Sequence, residues 1–285
     1  MENAILQFLE NLRNTTLNNI FAFFTFFGEE TFIVVAICLI YWTVNKKSGE
    51  FLLMSVLSSV SANGLLKDSI HRLRPFQAAI VSKVDFDGYL VNTVKLNNSY
   101  SFPSGHSQIA GSFFISLSLL IKKKSAYIIC SAIIFLVMLS RIYLGVHYPT
   151  DVLAGAFLGI LFAFLWYFIF KKFYNKRYII FIVSAVVLSM FLFFSGTTDS
   201  FKALGGMLGA SVGLYLENKY NNFEIQKNIW KKLLRVVLGF AVILGFKEGL
   251  KLILPKYLIF DYIRYFAVIF AATFIYPVIF KKLDF

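Results

Sequence analysis

A chain of 285 residues that is 58% hydrophobic and only 15% charged, with a mean hydropathy of +0.71, is too apolar for a water-soluble domain. Its formal net charge of +13 would suit a nucleic-acid binder, but the basic residues sit in short connections between apolar stretches. That placement excludes a contiguous basic face, so no nucleic-acid partner is expected and the lipid bilayer is the solvent.

In chain order, residues 1–28 come first, with an apolar stretch (17–27) too short to cross about 30 Å of hydrocarbon. They are expected to form an N-terminal interfacial helix. Nine spans are expected after it, at 31–45, 51–66, 104–121, 125–140, 152–170, 178–195, 203–216, 233–254 and 262–280, giving an all-α polytopic transmembrane bundle. Lys46 and Lys47, Lys122 to Lys124, the Lys171 to Arg177 segment, the lysines of 219–232, and Lys281 and Lys282 fall on every second connection. The positive-inside rule makes that side cytoplasmic and puts 67–103, 141–151, 196–202 and 255–261 outside. The N-terminal segment, with Glu2, Glu10, Glu29 and Glu30 against Arg13, joins them there. It lacks the basic start of a cleaved signal peptide, so the first span is expected to direct insertion. Cys38 and Cys130 lie within apolar helices and receive no role.

The chain reads as two regions, a core at 1–176 holding most of the chemically suggestive residues and a four-span region at 177–285. The external loop 68–102, with Asp85, Asp87, Gly88, Asn92, Asn97, Asn98 and Ser99, has surface-loop composition and is long enough to cover a site.

Three short stretches carry polar residues that are costly near membrane depth. The first, Lys67 to Pro75, ends a helix before a proline and holds Arg72 and Arg74. Alone it reads equally well as a cationic anchor at the headgroups. The second, Phe102-Pro103-Ser104-Gly105-His106-Ser107, opens a helix. Its unpaired N–H groups make an anion site, Ser104 can cap, and Gly105 admits close approach to the backbone. An ordinary cap with an incidental histidine is the plain alternative. In the third, Ser140-Arg141 to Asp151, His147 and Asp151 are four residues apart, a spacing that lets the carboxylate take one imidazole nitrogen and leave the other free to attack. The expected topology brings all three to one face, with all three histidines of the chain, and the cations Lys67, Arg74 and Arg141 there suit a phosphate dianion.

Lys67 with six residues to Arg74-Pro75, then Pro103-Ser104-Gly105-His106, then Ser140-Arg141 with five residues to His147 and three to Asp151, closely resembles the type 2 phosphatidic acid phosphatase superfamily. The resemblance covers about the first 175 residues and implies a metal-independent membrane phosphatase with a phosphohistidine intermediate. It implies His147 as nucleophile, Asp151 as its orienting partner and His106 as general acid. Lys67, Arg74, Ser104, the Gly105 N–H and Arg141 would hold the phosphoryl oxygens. Such chemistry asks for in-line placement and charge stabilisation, which cations and helix N–H groups supply. No metal or cofactor is expected, because the motifs hold only the carboxylates Asp68 and Asp151 and three cations would repel a metal. His71 and Arg72 fall outside the pattern and read as loop or interfacial residues.

In the second region, Gly205, Gly209 and Gly213 make a smooth stripe suited to helix packing within the chain or, alternatively, in a homo-oligomer. Lys247, Glu248 and Lys251, with Lys256 and Arg264 nearby, read as mutually neutralising, or as a surplus of positive charge that attracts an anionic headgroup. The added spans resemble the sphingosine-1-phosphate phosphatase branch and related bacterial proteins. The substrate expected is a membrane lipid phosphate monoester. The alternatives are undecaprenyl diphosphate and, in another class, a lipid-phosphate transporter reusing the fold. The abundance of Lys, Asn, Ile and Phe suits an AT-rich bacterial genome, hence a plasma membrane with the site facing out.

Overall fold

The computed structural model describes residues 1–84, 99–195 and 197–283. The polar positions Asp85, Asp87, Gly88, Asn92, Asn97 and Asn98 of the expected covering loop lie outside the described residues. Those described are overwhelmingly helical and contain no strand.

The helices are α1 (Glu2–Asn11), α2 (Thr15–Phe26), α3 (Glu30–Leu39), α4 (Lys46–Ile70), α5 (Gly105–Ile121), α6 (Lys124–Tyr143), α7 (Pro149–Lys172), α8 (Arg177–Met190), α9 (Thr198–Leu216), α10 (Ile229–Ile253), α11 (Leu258–Phe270) and α12 (Tyr276–Lys282). Among the described residues, five helical stretches are long and apolar enough to cross a membrane: Lys46–Ile70, Lys124–Tyr143, Pro149–Lys172, Tyr174–Phe194 and Leu258–Lys282. A sixth arises if α2 and Glu30–Val44, bent by 43° at their junction, make one span. The count of nine spans expected from hydropathy is thus not confirmed, with five or six stretches meeting both criteria among the described residues. Helix α5 has only 17 residues, and α10 carries Lys231, Lys232, Arg235, Lys247, Glu248 and Lys251 along its length.

The single N-terminal helix expected at residues 1–28 is corrected. Residues 1–28 are two helices, because Asn14 adopts an extended conformation and its side chain caps a new start by accepting from Leu17 N at 2.9 Å.

The chain divides into two compact units that interleave in sequence. One comprises 1–34 and 62–165, the other 35–61 and 166–285. In the first unit, the C-terminal end of α4, the N-terminus of α5, the C-terminus of α6 and the N-terminus of α7 come to one end, as the alternating direction of consecutive helices requires. Glycines set the α5–α7 distance. A Cβ on Gly111 would stand 2.8 Å from Ala156 O, and one on Gly155 or Gly159 would strike Ser104 O or Gln108 O. The opposite face of α7 exposes Leu153, Phe157, Leu161 and Phe164 at helical spacing, the apolar exterior that lipid requires.

In the second unit, Gly205 and Gly209 lie directly against Tyr262 O and Phe266 O, so the glycine stripe is taken up by α11 of the same chain. Glu50 is buried and meets Arg177 at 3.1 Å and the Tyr178 hydroxyl at 2.8 Å. Glu248 and Lys251 form an exposed pair at 3.6 Å.

Candidate active site

Helix α4 ends at Ile70, His71 follows at φ 54°, and Arg74 reaches the turn after α6. There Arg74 is fully buried. Its Nε donates to Ser99 O at 2.9 Å, Nη2 to Ser99 Oγ at 2.7 Å, and Nη1 to Val146 O at 2.9 Å and toward His147 Nε2 at 3.0 Å.

His147 sits in the turn between α6 and α7. The reversal depends on Gly145 at φ 74°, where a Cβ would strike Ser82 O and stand 2.6 Å from Arg13 Nη2. Helix α7 then starts at Pro149, which suits a first helical position, and Asp151 reaches back to accept from Tyr148 N at 2.9 Å as a cap. The same Asp151 oxygen accepts from the Ser101 hydroxyl and lies 3.5 Å from His147 Nδ1. Its other oxygen accepts from Arg72 Nη1 at 2.7 Å.

A guanidinium has no lone pair to offer, so His147 Nε2 is the acceptor in its contact with Arg74, and the proton resides on Nδ1, the nitrogen facing Asp151. Burial, reinforced by Arg74, Arg141 and Lys67, holds this imidazole well below the ordinary histidine range. It is therefore neutral at neutral pH, with its Nε2 lone pair directed at a guanidinium.

Ser104 caps α5, accepting from Ser107 N at 3.5 Å and from the Ser107 hydroxyl at 3.1 Å. Its own N–H donates to Asp151 O at 3.0 Å. A Cβ on Gly105 would lie 3.5 Å from Asn63 Oδ1 and 3.7 Å from Lys67 Nζ, so the lysine ammonium stands beside the N-terminus of α5. Asn63 donates to Pro103 O at 3.2 Å and to Gln108 Oε1 at 2.7 Å, fixing the approach to that terminus. Arg141 is buried at the end of α6. Its Nη1 donates to Thr25 Oγ1 at 2.8 Å, and among the described residues its buried Nε has no acceptor. His106 Nε2 lies 3.0 Å from Glu29 Oε1.

The eight residues singled out by sequence thus fall at one end of the first unit, with Arg74, His147 and Asp151 in a continuous chain of contacts. Several neighbours escaped sequence reasoning. Arg72, read as interfacial, pairs with Asp151 and with Glu2 at 2.8 Å, and lies 3.9 Å over the Tyr148 ring. Its position between Lys67 and Arg74 was the available signal. Ser101, Thr25 and Glu29 carried none beyond being polar next to apolar runs. His71 is exposed and packs edge-on against Tyr100, as a loop residue would.

A phosphate-sized anion suits this end of the unit chemically. It offers a helix N-terminus, a neutral imidazole with a lone pair directed into the cluster, and cations from three separate elements. Residues 50–175 match the family model of the PAP2 superfamily, and residues 201–285 match that of the PAP2 superfamily phosphatase transmembrane extension. Phosphatidylglycerophosphatase B of Bacillus subtilis is 34% identical over 167 residues, covering 54% of this chain and 75% of that protein. An undecaprenyl-diphosphatase of Sulfolobus acidocaldarius is 32% identical over 53% of this chain and 69% of its own length. Sphingosine-1-phosphate phosphatase 1 of Rattus norvegicus is 24% identical over 85% of this chain and 62% of its own length. These matches define a helical membrane phosphatase acting on lipid phosphates. The chain belongs to the PAP2 superfamily and carries that superfamily's transmembrane extension.

Proposed function

We propose that this protein hydrolyses a lipid phosphate monoester without a metal ion, through a phosphohistidine on His147 at the non-cytoplasmic face of the membrane. The observation that carries the reading is the placement of His147, with Nε2 3.0 Å from Arg74 Nη1 and Nδ1 3.5 Å from an Asp151 oxygen. In-line attack by Nε2 on phosphorus expels the alcohol, whose oxygen takes a proton from His106. Water then attacks the phosphohistidine, returns its proton to His106 and releases phosphate. Asp151 offsets the positive charge that His147 gains on phosphorylation. Lys67, Arg74, Arg141, Ser104 and the Gly105 N–H hold the equatorial oxygens, with the orphaned Arg141 Nε a ready donor.

The region 1–176 carries this chemistry and 177–285 supplies additional membrane helices, in keeping with the separate family matches to the two parts. The outward-facing site rests on the basic clusters that fall on every second connection. The test is phosphate release by purified protein in detergent, with chelator present, from phosphatidylglycerophosphate, phosphatidate, sphingosine 1-phosphate and undecaprenyl diphosphate. Chelator-resistant release that disappears in His147→Ala supports the mechanism, and preference for the diphosphate would replace the monoester reading. Absence of release from all four by folded protein would favour a transporter built on the same fold.

A further inference from the structure

The bend between α2 and α3 inserts into the site from outside the three motifs. Its Glu29 carboxylate lies 3.0 Å from His106 Nε2, and its Thr25 hydroxyl accepts from Arg141 at 2.8 Å. Between them, Gly28 makes the approach feasible. A Cβ there would stand 2.9 Å from Val137 Cγ1 and 3.0 Å from both His106 Cβ and His106 O, closer than packed atoms tolerate. The bend therefore rests on the His106 backbone itself, and the residue after the glycine is delivered to the imidazole edge.

We propose that Glu29 is a positioning residue for proton transfer: by accepting from His106 Nε2–H it reserves Nδ1 as the nitrogen that exchanges protons with substrate and water. The proposal rests on the phosphatase reading. In the first half-reaction the Nδ1 proton passes to the leaving alkoxide as the P–O bond breaks and the His147 Nε2–P bond forms. In the second, Nδ1 takes a proton from water as the new P–O bond forms and the N–P bond breaks. The Nε2 proton stays with Glu29 throughout, and no oxidant, reductant or other co-reactant is needed.

Leaving-group dependence separates this role from a structural one. An alkoxide needs a proton as it departs, whereas p-nitrophenolate is stable as an anion. The full-length protein in detergent is mixed in rapid quench with phosphatidate, sphingosine 1-phosphate and phosphatidylglycerophosphate as alkyl esters, and with p-nitrophenyl phosphate, to read the first turnover. Glu29→Ala is expected to slow alcohol release from the alkyl esters about 100-fold while changing nitrophenolate release less than about threefold. Gly28→Ala, which lifts the bend, is expected to show the same selectivity, and Glu29→Gln, which keeps an acceptor, a smaller loss. If Glu29→Ala does not fold, Glu29→Gln and Gly28→Ala decide the matter. Equal losses on both ester types, or none on either, overturn the role of Glu29 while leaving the phosphatase reading intact. Failure of the wild type to act on any ester removes that reading and this proposal with it.

Discussion

Arg74 Nη1 lies 3.0 Å from His147 Nε2, so the group that would stabilise the phosphoryl oxygens rests on the nitrogen that would attack phosphorus. On the proposed mechanism substrate displaces this contact, while the bonds from Arg74 to Ser99 and Val146 keep the guanidinium in place. A lysine cannot reproduce that fork. Arg74→Lys is expected to lower kcat/KM for lipid phosphate about 100-fold, equivalent to roughly 2.7 kcal/mol of transition-state stabilisation. Steady-state kinetics with a folded variant checks it, and a loss under about threefold would show that charge alone suffices.

Protonation of His147 gives a second prediction. Its imidazole titrates well below the usual histidine value of about 6.5, chiefly because it is buried. The folded protein consequently binds fewer protons than the unfolded chain below that pH. This group's contribution to stability is fully present above about pH 6.5 and is lost as pH falls toward the folded value. The acid limb of the kcat/KM profile is expected well below about pH 6.5, and thermal stability in detergent should decline from there toward acid. His147→Gln should flatten part of that decline. An acid limb at or above about pH 6.5 with an unchanged slope in the variant would contradict the assignment.

Arg72 reaches His147 only through Asp151, to one oxygen of which it donates, whereas Ser101 donates to the other oxygen and also lies 3.4 Å from His147 Nδ1. Charge-assisted hydrogen bonds of this kind contribute about 1.5–3 kcal/mol, so Arg72→Ala is expected to reduce kcat roughly 10- to 100-fold with little change in KM. Glu2 holds the far side of Arg72 and accepts two bonds from Thr150. Burial opposes its ionisation, but the Thr150 hydrogen bonds and Arg72 outweigh that and keep its carboxyl below the usual range. Glu2→Gln should leave kcat within about threefold. Equal effects of Glu2→Gln and Arg72→Ala in steady-state assays would mean that the N-terminal helix, and not Asp151, is the relevant partner.

The second unit offers a stability test independent of the chemistry. Glu50 and Arg177 are both buried, and removing one partner leaves the other charge uncompensated. Glu50→Ala is expected to cost about 3–5 kcal/mol, seen as a lower unfolding midpoint in detergent, and Glu50→Ala with Arg177→Met should recover much of that loss. Additive destabilisation in the double variant would show that the pair is not coupled.

The three motifs were legible because each combines residue types that lipid penalises with a local signal: the proline after Arg74, the Pro103-Ser104-Gly105 start of α5, and the four-residue step from His147 to Asp151. The N-terminal break was legible in part, since Asn14 followed by Thr15 and Thr16 is a capping sequence within what reads as one amphipathic segment. The span count was less accessible. Hydropathy registers apolar stretches without fixing where a helix starts and stops, and α5, at 17 residues, ends just short of the length that marks an unambiguous span. Glu29 and Thr25 were invisible as site residues because their roles follow from a tertiary contact permitted by Gly28, which sequence spacing alone does not reveal.

The glycine contacts between α5 and α7 have a consequence for the bilayer. Gly111, Gly155 and Gly159 bring the two backbones together over successive turns, and Ser104 N–H bonds directly to Asp151 O where both helices begin. Lipids of unequal chain length impose hydrophobic mismatch, which single helices relieve by tilting. Two helices locked at this separation must tilt together, carrying the N-terminus of α5 and Asp151 as one piece. Turnover in vesicles of different thickness should thus respond to how readily substrate reaches the site, while the alignment of the reacting groups stays constant.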